Sequence, residues 1–375
     1  MAEAQARRIC VFLASLEGGG AERVMVTLAN GFAARGRMVT MVLGEGAGPF
    51  RDDLDPAVEL VDLSCRHVSL ALPRLAIILR QRKPDVLLSA LHVANLVALL
   101  AARLARRRMP VVVSEHSSLA SILGSRAGLR RRILRSSIGL LYPRAARVVT
   151  VSRGAAAELR QLFPAVPLSI ETIPNPIDIG AVRVRAKDKD AALPNEPFII
   201  AVGRLVPEKR FDDLIQAFGI VQGQVQCRLE ILGEGPERGR LEALCDRMGL
   251  AGAVSLPGFA RNPFPRVRAA SVLAVTSERE GFGNVLVEAM ALGTSVVASD
   301  CPHGPREILE GGRWGHLVPV GDPNALAAAL LDTLRAPPVA PDALKKRAEA
   351  FDKDHAIDAY LALLDDAASE ATQSI

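Results

Sequence analysis

Residues 272–290 read VLAVTSEREGFGNVLVEAM, and this stretch decides the fold. An apolar run of strand length ends at Thr276, a glycine-containing loop follows, and helix-forming residues begin near Gly283. A strand, a loop and a helix in this order form the repeating unit of a parallel sheet covered by helices. The stretch therefore predicts an α/β architecture.

The same alternation continues on both sides of this stretch. In the first half we predict strands at 9–14, 38–43, 58–63, 85–90, 110–114, 147–151 and 170–173, with helices near 21–35, 71–82, 93–107 and 153–162. In the second half we predict strands at 198–202, 228–232, 253–256, 272–276, 295–298 and 316–318, with helices near 208–222, 236–248, 284–292, 305–310, 323–335 and 354–369.

The domain organisation follows from length and from one break in the pattern. A chain of 375 residues favours two domains. The polar, proline-bounded stretch 184–197 interrupts the alternation and is the predicted junction. We therefore predict two Rossmann-like, doubly wound domains at 1–183 and 184–353 that face a central cleft, with a last helix in 354–375. Ligands of such domains bind at the carboxyl ends of the strands.

Composition excludes several classes of protein. One Trp and two Tyr argue against the stacking surfaces that bind single-stranded nucleic acid. Five scattered cysteines without a Cys-x-x-Cys pair, and histidines without ligand spacing, predict neither disulfides nor a metal site, and they fit the cytosol. The apolar stretch 91–105 is interrupted by polar residues, and 9–16 is too short for a signal peptide, so we predict no membrane span.

Charge is distributed unevenly. Residues 1–180 hold 24 Lys/Arg and 14 Asp/Glu, whereas residues 181–375 hold 22 and 27. Eleven arginines lie between Arg103 and Arg147 against one acid, Glu115. They form either a solvated surface or a face that attracts an anionic membrane or a phosphate-bearing acceptor. Duplex nucleic acid is the least favoured partner, because no reading helix or zinc site accompanies the charge.

The loop between the strand at 272–276 and the next helix is the first candidate site. The backbone amides of Phe282, Gly283 and Asn284 would lie at a helix N-terminus, where unsatisfied donors and the positive end of the dipole favour an anion. Glu280 precedes the helix and Glu288 lies one turn inside it, so both could accept hydrogen bonds from sugar or ribose hydroxyls. An ordinary strand–helix junction with two solvated acids is the alternative.

Two cations follow the first strand of the same half. Arg204 and Lys209 would emerge at the same sheet edge and could neutralise a diphosphate leaving group without a metal. Surface ion pairs with Glu208 or Asp212 are the alternative for them.

The first half offers weaker candidates. The triplet Gly18–Gly20 permits close backbone approach to a phosphate, or it is a simple tight turn. His116 follows a predicted strand and could contact a donor sugar, or it caps a helix. The segment 304–309 could line the cleft or merely begin a helix at Pro305.

Together these segments resemble glycosyltransferase family 4, retaining enzymes of the GT-B architecture, over nearly the whole chain. The resemblance is carried by six motifs: GGAER at 19–23, IPNPID at 173–178, GRLVPEKR at 203–210, the Glu-x7-Glu element at 280–288, GPREIL at 304–309 and GHLVP at 315–319. It implies that the last helix crosses back to the first domain. Many relatives have a small residue where this chain has His303.

The resemblance also implies roles for residues. Those expected in the chemistry are Glu280, His116, Arg204 and Lys209. Those expected to bind the donor are Gly19, Gly20, Arg204, Lys209, Gly258, Phe259, Glu280, Phe282, Gly283, Asn284 and Glu288. Gly258 and Phe259 would lie near the base, Glu288 would hold the ribose, and Glu280 would lie against the transferred sugar.

The function implied is transfer of a hexose or N-acetylhexosamine from a nucleotide diphosphate sugar, UDP-linked by family frequency. The acceptor would be lipid-linked or a polysaccharide, as in cell-envelope biosynthesis. Transfer would proceed on the front face with retention, the leaving phosphate taking the acceptor proton, and no cofactor or metal is expected.

A basic stretch at 125–135 suggests where the acceptor arrives. It combines apolar residues with Arg130, Arg131 and Arg132 and would rest on the cytoplasmic membrane leaflet, making the protein cytoplasmic and peripherally bound. An ordinary surface helix is the alternative.

Three other functions remain open at this point. A sugar-nucleotide epimerase shares the two-domain plan and would need no acceptor. A nicotinamide-dependent oxidoreductase could use Glu45 on a ribose, although the glycine pattern disagrees. A non-catalytic carbohydrate-binding protein would tolerate loss of Glu280 or Arg204.

Overall fold

The computed structural model describes residues 8–17, 19–46, 48–106, 109–124, 128–188, 194 and 196–373. The chain divides into two compact units, Met1–Pro176 together with Lys353–Ile375, and Ile177–Asp352. Each unit is built on one sheet whose strands are all parallel.

The first unit contains a seven-stranded sheet. Its strands are β1 (Arg8–Leu13), β2 (Met38–Leu43), β3 (Glu59–Asp62), β4 (Val86–Ala90), β5 (Val111–Glu115), β6 (Arg147–Thr150) and β7 (Ile170–Thr172). Its first helices are α1 (Gly20–Ala34), α2 (Leu72–Arg82), α3 (His92–Leu104), α4 (Leu119–Gly124), α5 (Gly128–Leu141) and α6 (Arg153–Leu162). The strand order is β3-β2-β1-β4-β5-β6-β7. Every residue of β4 and β5 is buried, as expected for strands covered on both faces.

The second unit contains a six-stranded sheet. Its strands are β8 (Phe198–Val202), β9 (Arg228–Leu232), β10 (Val254–Gly258), β11 (Val272–Val275), β12 (Ser295–Ser299) and β13 (His316–Val318). Its helices are α7 (Ile179–Arg185), α8 (Phe211–Gln222), α9 (Arg238–Arg247), α10 (Phe264–Ala269), α11 (Asn284–Leu292), α12 (Gly304–Ile308), α13 (Pro323–Arg335) and α14 (Pro341–Ala348). The order is β10-β9-β8-β11-β12-β13.

Both sheets follow one plan. Counted within each unit, the strand order begins 3-2-1-4-5-6, so the winding direction reverses between the first strand and the fourth. The reversals lie between β1 and β4 and between β8 and β11. In open parallel sheets this switch point, at the carboxyl ends of the strands, is where ligands bind.

The last helix, α15 (Lys353–Gln373), belongs to the first unit. Ile357, Tyr360, Leu361 and Leu364 are buried in the core that contains β1 and α1. On the rim, Arg35 pairs with Asp354 and Asp358 at 2.9 and 2.7 Å. The predicted return of the last helix to the first domain is confirmed.

The boundary between the units lies earlier than the polar stretch suggests. Helix α7 packs against α10 and α11, so residues 177–183 belong to the second unit, and a boundary after residue 183 falls inside α7. The Ile177 N–H donates to the Phe351 carbonyl at 3.1 Å, and Ile177 pairs with Asp352. The chain therefore enters and leaves the second unit at adjacent points. Residues 189–193 and 195 of the predicted junction lie outside the described residues.

Candidate active site

The two loops that flank the switch point of the second sheet bring Lys209 and Glu280 together. Lys209 Nζ lies 2.5 Å from Glu280 Oε1, and the Ser277 hydroxyl donates to the same oxygen at 2.7 Å. Both charged side chains are partly buried, with 26% and 14% of their surface exposed. The pair is therefore partly shielded from water while it remains open to a ligand.

Backbone contacts hold these loops against each other. The Lys209 carbonyl accepts a hydrogen bond from the Thr276 hydroxyl at 2.7 Å, and the Glu208 carbonyl accepts one from the Glu278 N–H at 2.8 Å. A short 3₁₀ turn, Pro207–Lys209, lies at the end of the first loop and is followed by Arg210, whose φ is +47°. Neither loop can shift alone without breaking these bonds.

Arg204 differs from Lys209. It is exposed at the end of β8, and within the described ranges it forms no ion pair. Its guanidinium is thus a charge without a protein counter-ion in that part of the chain, available to a mobile anion. The structure does not bring it into a contact with Glu280.

Helix α11 begins at Asn284, where the chain turns from the loop into the helix. Gly283 caps it with φ +102°, a conformation that strains any residue with a Cβ. Phe282 is buried and packs edge-on against Phe351, with ring centroids 5.6 Å apart. The first N–H groups of α11 therefore lie at the carboxyl end of β11, as an anion site requires.

The remaining residues predicted to bind the donor occupy different depths. Glu288 is 8% exposed, within the first half of α11. Gly258 ends β10 with φ +98°, and Phe259 beside it is 60% exposed, unusual for a phenylalanine. Gly258 and Phe259 therefore lie at the carboxyl end of β10, and Glu288 lies in the helix that follows the carboxyl end of β11.

Two residues that sequence reasoning did not assign to the site lie against Glu280. His303 pairs with Glu280 as an isolated parallel bridge and has φ +85° and ψ −117°, a strained conformation for a non-glycine residue. Cys301 is buried, and burial, reinforced by the Glu280 charge, raises the pKa of its thiol to about 12. Gly304 was the sequence signal for this close approach of the two loops, because a Cβ there would lie 1.6 Å from the Phe282 carbonyl oxygen.

In the first unit the candidate residues lie near the carboxyl edge of its sheet. His116 follows β5 and is 9% exposed, and burial lowers the pKa of its imidazole to about 4. Gly19 precedes α1 and Gly20 begins it, whereas Gly18 lies outside the described residues. A Cβ on Gly19 would lie 2.2 Å from a Glu22 carboxylate oxygen, so a side chain there would displace the acid.

The basic helix α5 carries two apolar faces. Leu134, Ile138 and Leu141 are buried, whereas Leu129, Ile133 and Leu140 are 72%, 57% and 62% exposed. The spacing of four and seven residues places the exposed three on one stripe. Arg130, Arg131 and Arg132 are exposed between them, and 125–127 of the predicted stretch lie outside the described residues.

Comparison with known proteins identifies the family. Residues 18–180 match the family described as Glycosyltransferase Family 4, and residues 196–336 match Glycosyl transferases group 1. A Campylobacter jejuni relative, N-acetylgalactosamine-N,N'-diacetylbacillosaminyl-diphospho-undecaprenol 4-alpha-N-acetylgalactosaminyltransferase, is 30% identical over 361 residues, covering 92% of this chain and 96% of the relative. The chain belongs to glycosyltransferase family 4.

Two further likenesses agree with this family. The lipopolysaccharide core biosynthesis glycosyltransferase LpsE of Rhizobium meliloti is 28% identical, with 92% of this chain and 96% of LpsE covered. The crystal structure of Anabaena HepE in complex with UDP and glucose superposes with a TM-score of 0.77 at 23% identity, covering 96% and 100% of the two chains. The predicted family, the predicted pair of Rossmann-like folds and the glycosyltransferase activity are confirmed; the site residues stay predictions.

Among the described residues, no helix has the length and apolarity that a membrane crossing requires. Over the same residues, no group of three or more His, Cys, Asp or Glu side chains is placed to hold a metal ion.

Proposed function

We propose that this glycosyltransferase moves a hexose or N-acetylhexosamine from a UDP-sugar to a lipid-linked or polysaccharide acceptor, with retention at the anomeric carbon. The observation that carries the proposal is the Lys209–Glu280 pair at the switch point of the second sheet, beside the N-terminus of α11. The activity that names the Campylobacter jejuni relative supports a diphospho-lipid acceptor, and the UDP and glucose in the HepE structure support the donor.

The positive charges at this edge of the second sheet are suited to stabilising a nucleoside diphosphate as it leaves the sugar. Negative charge develops on the leaving phosphate as the sugar–phosphate bond breaks, and Lys209, Arg204 and the first amides of α11 supply positive charge there. In the free enzyme Glu280 neutralises Lys209, so the lysine is held in place before the donor arrives. When the donor binds, the Glu280 carboxylate would accept a hydrogen bond from a sugar hydroxyl.

Retention requires that the acceptor hydroxyl attack from the face that the diphosphate leaves. The leaving phosphate oxygen takes the acceptor proton as the new glycosidic bond forms, so no protein nucleophile is needed. The protein then contributes position and electrostatic stabilisation.

Product analysis with a matched pair of variants tests this function. Purified protein is incubated with UDP-sugars and a prenyl-diphosphate-linked acceptor, and the anomeric configuration of the product is read by NMR. We expect an α-linked product from an α-linked donor, with turnover lost in Glu280→Gln and retained in Glu278→Gln. An inverted product would contradict retention, and an isomerised sugar without transfer would favour the epimerase.

We further propose that the exposed stripe of α5 rests on the inner membrane leaflet. Leu129, Ile133 and Leu140 would enter the headgroup boundary while the neighbouring arginines contact anionic lipids. Flotation with vesicles containing anionic lipid tests this. Leu129→Ser/Ile133→Ser should abolish binding and Ile77→Ser, exposed on α2, should not; equal flotation of all three proteins would contradict the proposal.

A further inference from the structure

Three segments distant in sequence converge on His116. Ser114 lies in β5, two residues before the histidine, and its Oγ is 3.0 Å from His116 Nε2. The same oxygen is 3.0 Å from the Tyr360 hydroxyl of α15. Asn175, from the loop after β7, lies beside the imidazole. All four residues are buried, at 0%, 9%, 1% and 7% exposure for Ser114, His116, Tyr360 and Asn175.

The available donors and acceptors assign the direction of these hydrogen bonds. Within the described residues Tyr360 Oη contacts no acceptor besides Ser114 Oγ, so Tyr360 donates to the serine. Ser114 Oγ then keeps its own proton for one remaining neighbour, His116 Nε2. A ring nitrogen that accepts a hydrogen bond carries no proton, so the imidazole proton is on Nδ1.

The other ring nitrogen has no such partner in the described part of the chain. Within the described residues His116 Nδ1 is buried and neither accepts nor donates a hydrogen bond, although Asn175 lies beside the ring. With Nε2 accepting from Ser114, the Nδ1 proton is left available to a ligand. Burial keeps the ring neutral at physiological pH.

Helix α15, which carries Tyr360, is fixed in place by its packing and its ion pairs. Tyr360 is among the largest fully buried side chains, and one turn earlier Ile357 lies so close to α1 that a Cβ on Gly31 would be 2.2 Å from its Cδ1. Ion pairs from Arg37 to Asp365 and from Arg147 to Glu370, at 2.8 and 2.6 Å, hold the helix farther along. The tyrosine hydroxyl is thus presented to Ser114 by a rigid element.

We propose that Tyr360 and Ser114 are positioning residues that fix His116 as a neutral imidazole protonated on Nδ1. The inference rests on the proposed function, together with the role in the chemistry that the family resemblance implies for His116. It adds a task for the last helix: its return to the first unit supplies the hydroxyl that orients this histidine. A ring held in one orientation by Ser114 needs little reorganisation when the donor binds.

Nitrogen NMR of the imidazoles tests the tautomer without any turnover. The chain has six histidines, so selective ¹⁵N-histidine labelling gives a small spectrum in which loss of one signal set in His116→Gln assigns His116. We expect a neutral ring with a protonated Nδ1 between pH 6 and 8. Tyr360→Phe should shift its Nε2 resonance, whereas Ser369→Ala, another hydroxyl of α15, should not. A ring protonated on Nε2 would overturn the assignment.

Kinetics test whether the network acts through His116. Tyr360→Phe keeps the ring and removes one hydroxyl, so we expect an intact fold by thermal melting and roughly tenfold lower kcat with little change in KM for the donor. Ser114→Ala should lose at least as much, and Ser114→Thr, which retains a hydroxyl, should recover most of it. In a His116→Ala background Tyr360→Phe should cost nothing further; additive losses would overturn the proposal.

The two readouts separate the two proposals. Absence of transfer together with the Nδ1 tautomer would refute the proposed function and leave the network standing. Transfer with an Nε2 tautomer, or with unchanged kcat in Tyr360→Phe, would refute the network and leave the function standing.

Discussion

The two units share a strand order but present opposite chemistry at corresponding edges. After the first strand, the second unit places Arg204 and Lys209, whereas the first places Gly19 and Gly20. After the fifth strand, the first unit buries a neutral His116 among hydroxyl and amide groups. At that position the second unit has Cys301 and the strained His303 beside a charged pair.

The difference shows that fold and chemistry are specified separately. The winding of the sheet decides where a site can lie, since the reversal exposes the same edge in both units. Loop residues decide what that edge does. In the second unit the loops collect partly exposed charge, suited to a diphosphate, and in the first they fix an uncharged ring.

The largest effect on activity should follow removal of the positive charge of Lys209 from the second unit. Lys209→Ala deletes the cation that we propose stabilises the leaving phosphate, so we expect kcat to fall about 10²–10³-fold, as when one preorganised donor is lost. Lys345→Ala removes an exposed lysine paired with Asp342 and should leave kcat unchanged. Wild-type turnover in Lys209→Ala would remove the basis for assigning the donor site to this edge.

The first unit should respond to pH through a buried carboxyl. Glu115 is buried beside Tyr142 and Asn95, and burial raises its pKa to about 7. A folded-state pKa above the unfolded value gives stability that is complete below the unfolded pKa and is lost as pH rises through 7. His116, whose pKa falls to about 4, works in the opposite direction, since its stability is gained as pH rises from 4 to the unfolded value.

A variant separates these opposing contributions. Relative to Glu115→Gln, the free energy of unfolding of the wild type should fall by roughly 2–3 kcal/mol from pH 4 to pH 8. Urea denaturation at a series of pH values measures it. The exposed Glu45→Gln should show no such trend; parallel curves for wild type and Glu115→Gln would mean that folding does not raise the pKa of Glu115.

Helix packing offers a third contrast between the units. Gly31→Ala on α1 places a methyl group against the buried Ile357, which has no room to move, so we expect a loss of about 1–3 kcal/mol. Gly219→Ala on α8 meets only the end of Met248, at 3.0 Å, and gains helix propensity. Thermal melting should therefore show a lower Tm for the first variant and an unchanged or higher Tm for the second. The reverse order would contradict the close contact of α1 with α15.

The smallest effect concerns the strained histidine of the second unit. His303→Gly relieves a backbone conformation that glycine adopts freely and should raise the free energy of unfolding by about 1 kcal/mol. His303→Ala retains the strain and is the control. If both variants melt like the wild type, the residue is not strained in solution.

The fold and part of the site could be predicted from the sequence because both are encoded locally. All thirteen strands of the described residues lie within a few residues of the predicted apolar runs, and the Gly283 loop precedes a helix as expected. The boundary after residue 183 could not be placed correctly, since α7 is short and its attachment to α11 is a tertiary contact. The polar stretch that follows α7 drew the prediction toward it.

The network around His116 could not be predicted from the sequence, because its contacts are also tertiary. Ser114 and Tyr360 are separated by 246 residues, and a lone tyrosine in an amphipathic helix is indistinguishable from an ordinary core residue. Asn175 lay within a motif of the resemblance, but the motif gave no partner for it. Likewise, Cys301 and His303 reach Glu280 only through the pairing of two loops.

Equilibrium titration of UDP into the wild type and Lys209→Ala, followed by calorimetry at two salt concentrations, tests the central claim most directly. We predict binding to the wild type that weakens with salt, and at least tenfold weaker binding to Lys209→Ala with an unaltered Tm. Equal affinity of UDP for the two proteins would contradict the claim that the edge of the second sheet holds the diphosphate.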